Sequence, residues 1–143
     1  MNTAIATTIA PARPTAARAQ AFFQWLYDTE AGYIEIVAGI TNPANPSKIK
    51  LQMDTRRFLY CDPERPDLLE QAGRYAEQLA DTYNNVYCGV RLYDKRAKLE
   101  NTRKEEYTRP SRVIFIDDAP AAAPLPYSAS IRTSEHSRHA YYK

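Results

Sequence analysis

"VIFIDDAP", residues 113–120, sets four apolar residues ahead of two adjacent aspartates and closes on Ala119-Pro120. Four apolar residues without alternation predict a strand covered on both faces. Two like charges directly after it are costly to bury, singly or together. Two readings are open: Asp117 and Asp118 lie in a solvated turn, or they hold a cation between them. A strand fixes such carboxylates while the following loop leaves one side open. Paired hard oxygen ligands of this kind suit Mg²⁺ or Mn²⁺, which keep substrate phosphates as further ligands.

Working outward, the chain has 143 residues, enough for one domain with a real core. Apolar residues make up 44% and charged residues 25%, ordinary for a globular protein. Nineteen basic residues against seventeen acidic argue neither for nor against nucleic acid. No apolar run approaches the roughly 18 residues of a membrane span, so no membrane partner is expected. The opening "MNTAIATTIAPARPTAARAQ" has no basic start followed by an apolar block, so it is not read as a signal peptide. Its Ala, Thr and Pro content predicts a flexible leader over 1–15, followed by one domain over 16–143. Cys61 and Cys88 are too few for a disulfide framework and read as buried free thiols. The expected compartment is the cytoplasm.

Periodicity predicts an α/β (α+β) order. Ala19, Phe22, Phe23 and Leu26 recur at helical spacing over 16–29. "YIEIVAGI" (33–40) reads as a strand, "NPANP" (42–46) as a turn, and "KIKLQM" (48–53) as a half-buried strand with Ile49, Leu51 and Met53 on one face. A second helix starts near Pro66 with Leu69, Ala72, Ala76, Leu79 and Tyr83 on one stripe. It is expected to end at "YNN" (83–85), where Asn takes the left-handed conformation. "VYCGVRL" (86–92) alternates as a strand, and 93–110 reads as a long polar loop. "YSASIRTS" (127–134) and "RHAYY" (138–142) predict two more strands around a turn at Glu135-His136.

Three features carry chemistry. The acidic pair is the first. The second is "TSEHSRHAYY" (133–142), which holds both histidines of the chain, His136 and His139. Alternate pleating puts Ser137 and His139 on one face, where they are donors suited to a triphosphate. The third is the segment 91–112, with eight basic residues against four acidic and Tyr93 and Tyr107 among them. Lys95, Arg96, Lys98, Arg103 and Lys104 are its candidates for phosphate contacts, beside the plain reading as a solvated loop. A zinc site from Cys61, Cys88, His136 and His139 lacks C-x-x-C spacing. A rolling-circle nuclease needs His-x-His on one face, whereas these histidines are three apart.

In this order the features resemble the archaeo-eukaryotic primase superfamily, and within it the RepB-like primases of plasmids and phages. "VIFIDDAP" is similar to that family's apolar strand ending in acids, and Ser137-Arg138-His139 is similar to its s-x-H motif. The resemblance covers most of 17–143. It implies a mixed sheet with flanking helices, a primase-type catalytic core whose second half is RRM-like. It also implies a nucleotidyltransferase, a DNA primase or polymerase making primers on single-stranded DNA in plasmid, phage or mobile-element replication. Asp117 and Asp118 would be catalytic and bind Mg²⁺ or Mn²⁺, while Ser137 and His139 would bind the nucleoside triphosphate. A replicative helicase or relaxase is a further implied partner. The sequence departs from the pattern in two ways. Its acids are adjacent, and the family's third motif, a later Asp or Glu, has no counterpart after His139. The expectation is therefore a chain truncated at its C-terminus or, as the alternative, a non-catalytic primase-derived DNA-binding module.

Overall fold

The computed structural model describes residues 8–9, 15–28, 30–83, 85–110, 114–116, 129–132 and 138–142, with side chains described over 15–28, 30–45, 48–83 and 85–110. These form a mixed α+β fold in two compact units, Arg13–Pro110 and Met1–Ala12 with Ser111–Lys143. The single domain expected over 16–143 spans parts of both.

In the larger unit, helix α1 (Ala16–Leu26) leads into strand β2 (Gly32–Asn42), which turns back into strand β3 (Asn45–Cys61). Helix α2 (Pro66–Ala80) and strand β4 (Asn85–Cys88) follow. The sheet is antiparallel in the order β3-β2-β4, so β2 is central. Thr15 caps α1 by accepting from the Arg18 N–H, and Glu77 of α2 accepts from the Ala16 N–H at 2.8 Å. A carboxylate there answers the positive end of the helix. Helix α2 has Pro66 at its start and buries Leu69, Ala72, Gly73, Ala76 and Leu79, the stripe that the 3–4 spacing predicts.

The β2–β3 ladder contains a large bulge. Ile36 pairs with Arg57 and Ala38 with Gln52, so Val37 alone faces the four residues Met53 to Arg56. Thr55 closes this gap. Its hydroxyl accepts from the Ala38 N–H at 2.9 Å and donates to the Gln52 carbonyl at 2.6 Å, and the Tyr75 hydroxyl of α2 donates to its carbonyl. A bulge of this kind bends the strand and breaks the simple alternation.

Several expectations over this unit are corrected. The strand at 48–53 is part of a 17-residue strand, and it is not half-buried, since Ile49 is 44% and Met53 48% exposed. A strand of that length spans about 56 Å, whereas the 15 residues of α2 span about 22 Å. The helix cannot cover the whole hairpin. The turn after β2 is only Pro43-Ala44, with the Asn42 side chain accepting from the Ala44 N–H. Helix α2 ends at Ala80, not at "YNN", and Asn85 is already in β4 opposite Gly39. The expected strand 86–92 stops at Cys88: the Gly89 N–H still makes the next in-register bond to the Glu35 carbonyl, but the Gly89 carbonyl accepts from the Tyr27 hydroxyl.

The expected polar loop 93–110 is instead ordered. Helix α3 (Lys95–Glu100) is capped by Asp94, which accepts from the Arg96 N–H, and ends at Asn101 with φ 49°. Among the described residues Asn101 is the non-glycine residue with positive φ. A 3-10 turn, Glu105–Tyr107, follows. Tyr33 and Tyr93 exchange backbone hydrogen bonds, and the Arg109 N–H donates to the Leu92 carbonyl, stitching both ends of the segment down.

In the smaller unit the backbone gives a four-stranded mixed sheet, β1-β6-β7-β5, from Thr8–Ile9, Ala129–Arg132, Arg138–Tyr142 and Ile114–Ile116 respectively. Strands β6 and β7 form the expected antiparallel hairpin. Within the leader expected to be flexible, Thr8–Ile9 pairs in parallel with Ser130–Ile131. Strand β5 pairs with β7 antiparallel, Ile116 opposite Ala140. Among the described residues no helix is long and apolar enough to cross a membrane.

Gly73 marks the closest approach of α2 to α1. A Cβ there would stand 2.5 Å from the Ala16 carbonyl oxygen and 3.2 Å from the Gln20 nitrogen. Alanine improves helix propensity by about 1 kcal/mol, but forcing the two backbones apart costs about 1–3 kcal/mol. Gly73→Ala is therefore expected to lower the urea midpoint. A higher midpoint would show that the helices separate freely.

Candidate nucleic-acid interface

Helix α2 packs on the large sheet and α1 packs on α2, and one face of the sheet carries Ile34 and Ile36 of β2, both fully buried. The other face carries Tyr33 and Glu35 of β2 and Arg56, Phe58 and Tyr60 of β3, two residues apart along each strand. Phe58, Tyr93, Ala97 and Tyr107 form a buried cluster against it, with Tyr33 packed alongside. This cluster is how a segment with little apolar content stays folded.

At the centre of that face lies a carboxylate. Glu35 is 2% exposed, and two guanidiniums reach it: Arg56 Nε stands 3.0 Å from Oε2 and Arg103 Nη1 3.4 Å from Oε1. Arg103 comes from the connection after α3 and is half-exposed, while Arg56 is buried. The Arg56–Glu35 contact is an ion pair by distance but not a directed hydrogen bond, and Arg56 Nε and Glu35 Oε2 are without hydrogen-bond partners. One carboxylate and two guanidiniums leave this cluster with a net positive charge.

Around it the basic residues divide in two groups. Arg96 is held by Asp94 at 2.6 Å, donates to the Glu106 carbonyl and lies over the Tyr107 ring at 4.5 Å. The same side-chain hydrogen bonds hold the Asp94 carboxyl below the usual carboxylate range. Lys104 faces Glu100 at 3.7 Å and the Tyr107 hydroxyl at 3.4 Å. With Arg103 on Glu35, three of the five residues expected to contact phosphate are paired with carboxylates, their side chains about half exposed. Lys95 and Lys98 are exposed, and the Lys98 ammonium stands 5.7 Å from the Tyr33 ring centre.

Beside Lys98 is an open groove of about 370 Å³, lined by Arg56, Arg57, Phe58, Leu59, Lys98 and Asn101. Next along β3, Tyr60 is 45% exposed and meets Tyr33 edge-on, with ring centres 5.4 Å apart. Sequence reasoning missed Glu35, Arg56 and Tyr60. The signal was a single acid inside "YIEIVAGI" and an arginine pair inside "TRRFLY", charges within runs of strand-forming residues.

Asp117, Asp118, His136 and Ser137 lie outside the described residues. The backbone of His139 is in β7, paired with Ile131. Burial pushes the Cys61 thiol up to about 12 and the Cys88 thiol up to about 11. Both cysteines are free. Comparison with protein-family models, with curated proteins and with solved structures finds no match for this chain.

Removing one partner of a buried ion pair leaves the other charge uncompensated, at a cost of about 3–5 kcal/mol. Arg56→Met leaves Glu35 to the half-exposed Arg103 and is expected to cost part of that, about 1–3 kcal/mol, while adding Glu35→Leu to it recovers a large part. The check is a double-mutant cycle on denaturant midpoints. Additive costs would mean that Arg56 and Glu35 do not act as a pair.

Proposed function

We propose that the chain is a primase-type nucleotidyltransferase of the archaeo-eukaryotic primase superfamily, extending a strand on a single-stranded DNA template in plasmid, phage or mobile-element replication. The observation that carries this reading is the register of β5 against β7. Ile116 directly precedes Asp117-Asp118 in the chain, Ala140 directly follows His139, and Ile116 and Ala140 are register partners. The described residues next to the two motifs, Ile116 and Ala140, are thus neighbours in one sheet, which supports a shared site.

In this reading Asp117 and Asp118 hold Mg²⁺ or Mn²⁺, and Ser137 and His139 hold the triphosphate of the incoming nucleotide. A terminal hydroxyl gives its proton to water as its oxygen bonds to the α-phosphorus, the bond to the bridging oxygen breaks, and pyrophosphate leaves with the electron pair. Divalent ions held by Asp117 and Asp118 would supply charge stabilisation for this step. What remains for the side chains is positioning and charge. A second reading, a primase-derived module that binds DNA without synthesis, is favoured by the ordered cationic segment of the larger unit, which needs no metal to act.

The test is a calorimetric titration of Mn²⁺ with a nucleoside triphosphate into the protein and its Asp117→Asn/Asp118→Asn variant. Saturable binding is expected for the parent and its loss in the variant, with unchanged thermal unfolding. His139→Ala is expected to weaken nucleotide binding about tenfold or more while Mn²⁺ still binds, since hydrogen bonds to charged groups contribute about 1.5–3 kcal/mol. Equal nucleotide affinity in all three proteins would remove the catalytic reading.

A further inference from the structure

We propose that the groove between β3 and α3 is a binding site for single-stranded DNA, with a phosphate seated between Arg56, Lys98 and Asn101 and the adjoining base stacked on Tyr60. The site lies wholly in the larger unit and shares no residue with the acidic and s-x-H motifs. The choice of DNA rests on the reading above, whereas the chemistry of the groove does not.

Three independent observations converge on it. The first is charge. Two guanidiniums share the one carboxylate of Glu35, so the groove borders an uncompensated positive charge, and Lys98 adds another from its rim. The second is a buried guanidinium at the groove wall. Arg56 lines the groove, its side chain is 8% exposed, and its Nε faces Glu35 Oε2 at 3.0 Å without a directed hydrogen bond. An anion in the groove would add a second charge-assisted partner to this arginine. The third is the aromatic surface. Tyr60 follows Leu59 of the groove wall, is nearly half exposed, and is braced edge-on by Tyr33, the ring beneath the Lys98 ammonium.

A cationic groove joined to a braced exposed ring is the pairing that single-stranded nucleic acid requires. The groove follows the backbone and the ring takes any base by its π-face. A duplex keeps its bases stacked inside and offers the ring nothing. Arg96, Arg103 and Lys104, each paired with a carboxylate, are then scaffold for the site, and Lys98 is the contact.

The experiment is fluorescence anisotropy of a labelled oligothymidylate about fifteen nucleotides long, titrated with the full chain at several salt concentrations. Tyr60→Ala is expected to weaken binding about tenfold with an unchanged salt slope, and Tyr60→Phe to bind like the parent. Lys98→Gln is expected to reduce the salt slope by about one. The Asp117→Asn/Asp118→Asn variant should bind the oligonucleotide normally, so that failure here and failure of the catalytic reading are told apart. Unchanged affinity in the Tyr60→Ala/Lys98→Gln double variant overturns the site. Equal affinity for duplex overturns the stacking role, and tighter binding of the matching oligouridylate overturns the assignment to DNA.

Discussion

Strand β2 is central in its sheet and covered on both faces, and in its middle is a glutamate that is 2% exposed. A carboxylate in that position must be neutralised where it stands. One cation comes from the neighbouring strand, Arg56, and one from well downstream, Arg103. The second commits residues 91–110 to lie across the sheet, where Tyr93, Ala97 and Tyr107 then find a core to join. Apolar residues often replace a buried ion pair at little cost in stability, so the charge cluster is better understood as a locator than as a source of stability. It determines where the segment docks, and with it where the groove and the Tyr60 ring fall.

Much of the larger unit was legible because its signals are local. The stripe of α2 is a run of 3–4 spacings that nothing tertiary overrides, and "YIEIVAGI" is a strand by composition. Helix α3 was not legible by periodicity, because six residues with Ala97 as the buried member make no stripe, and Leu99 is 73% exposed. Its signature lies instead at its ends, an aspartate before and an asparagine after. The left-handed asparagine expected after α2 is found here, a reminder that an Asn pair marks a stop only where the chain has need of one. Strand β3 was cut short in the reading because the bulge at Met53 to Arg56 resets the alternation. A reset is indistinguishable in sequence from an end.

The candidate site divides in the same way. Segment charge overstated the free cations of 91–112, since Arg96, Arg103 and Lys104 are paired with Asp94, Glu35 and Glu100. Their acidic partners are within the segment except Glu35, sixty-eight residues away, and no window of sequence reveals that pair. Of the stretches around the acidic pair and His139, the structure describes Ile116, which pairs with Ala140, while Asp117, Asp118 and Ser137 lie outside the described residues.

Thr55 has a consequence of a different kind. By clamping the bulge with its hydroxyl, it separates the long hairpin into a base that carries Glu35, Arg56 and Tyr60 and an arm that runs out to Pro43-Ala44. The pleat of the base is set at the clamp and not at the tip. The arm is thus free to vary in length, and its exposed tip is a natural place to graft a fluorophore, an affinity handle or a fused domain while leaving the groove as it is.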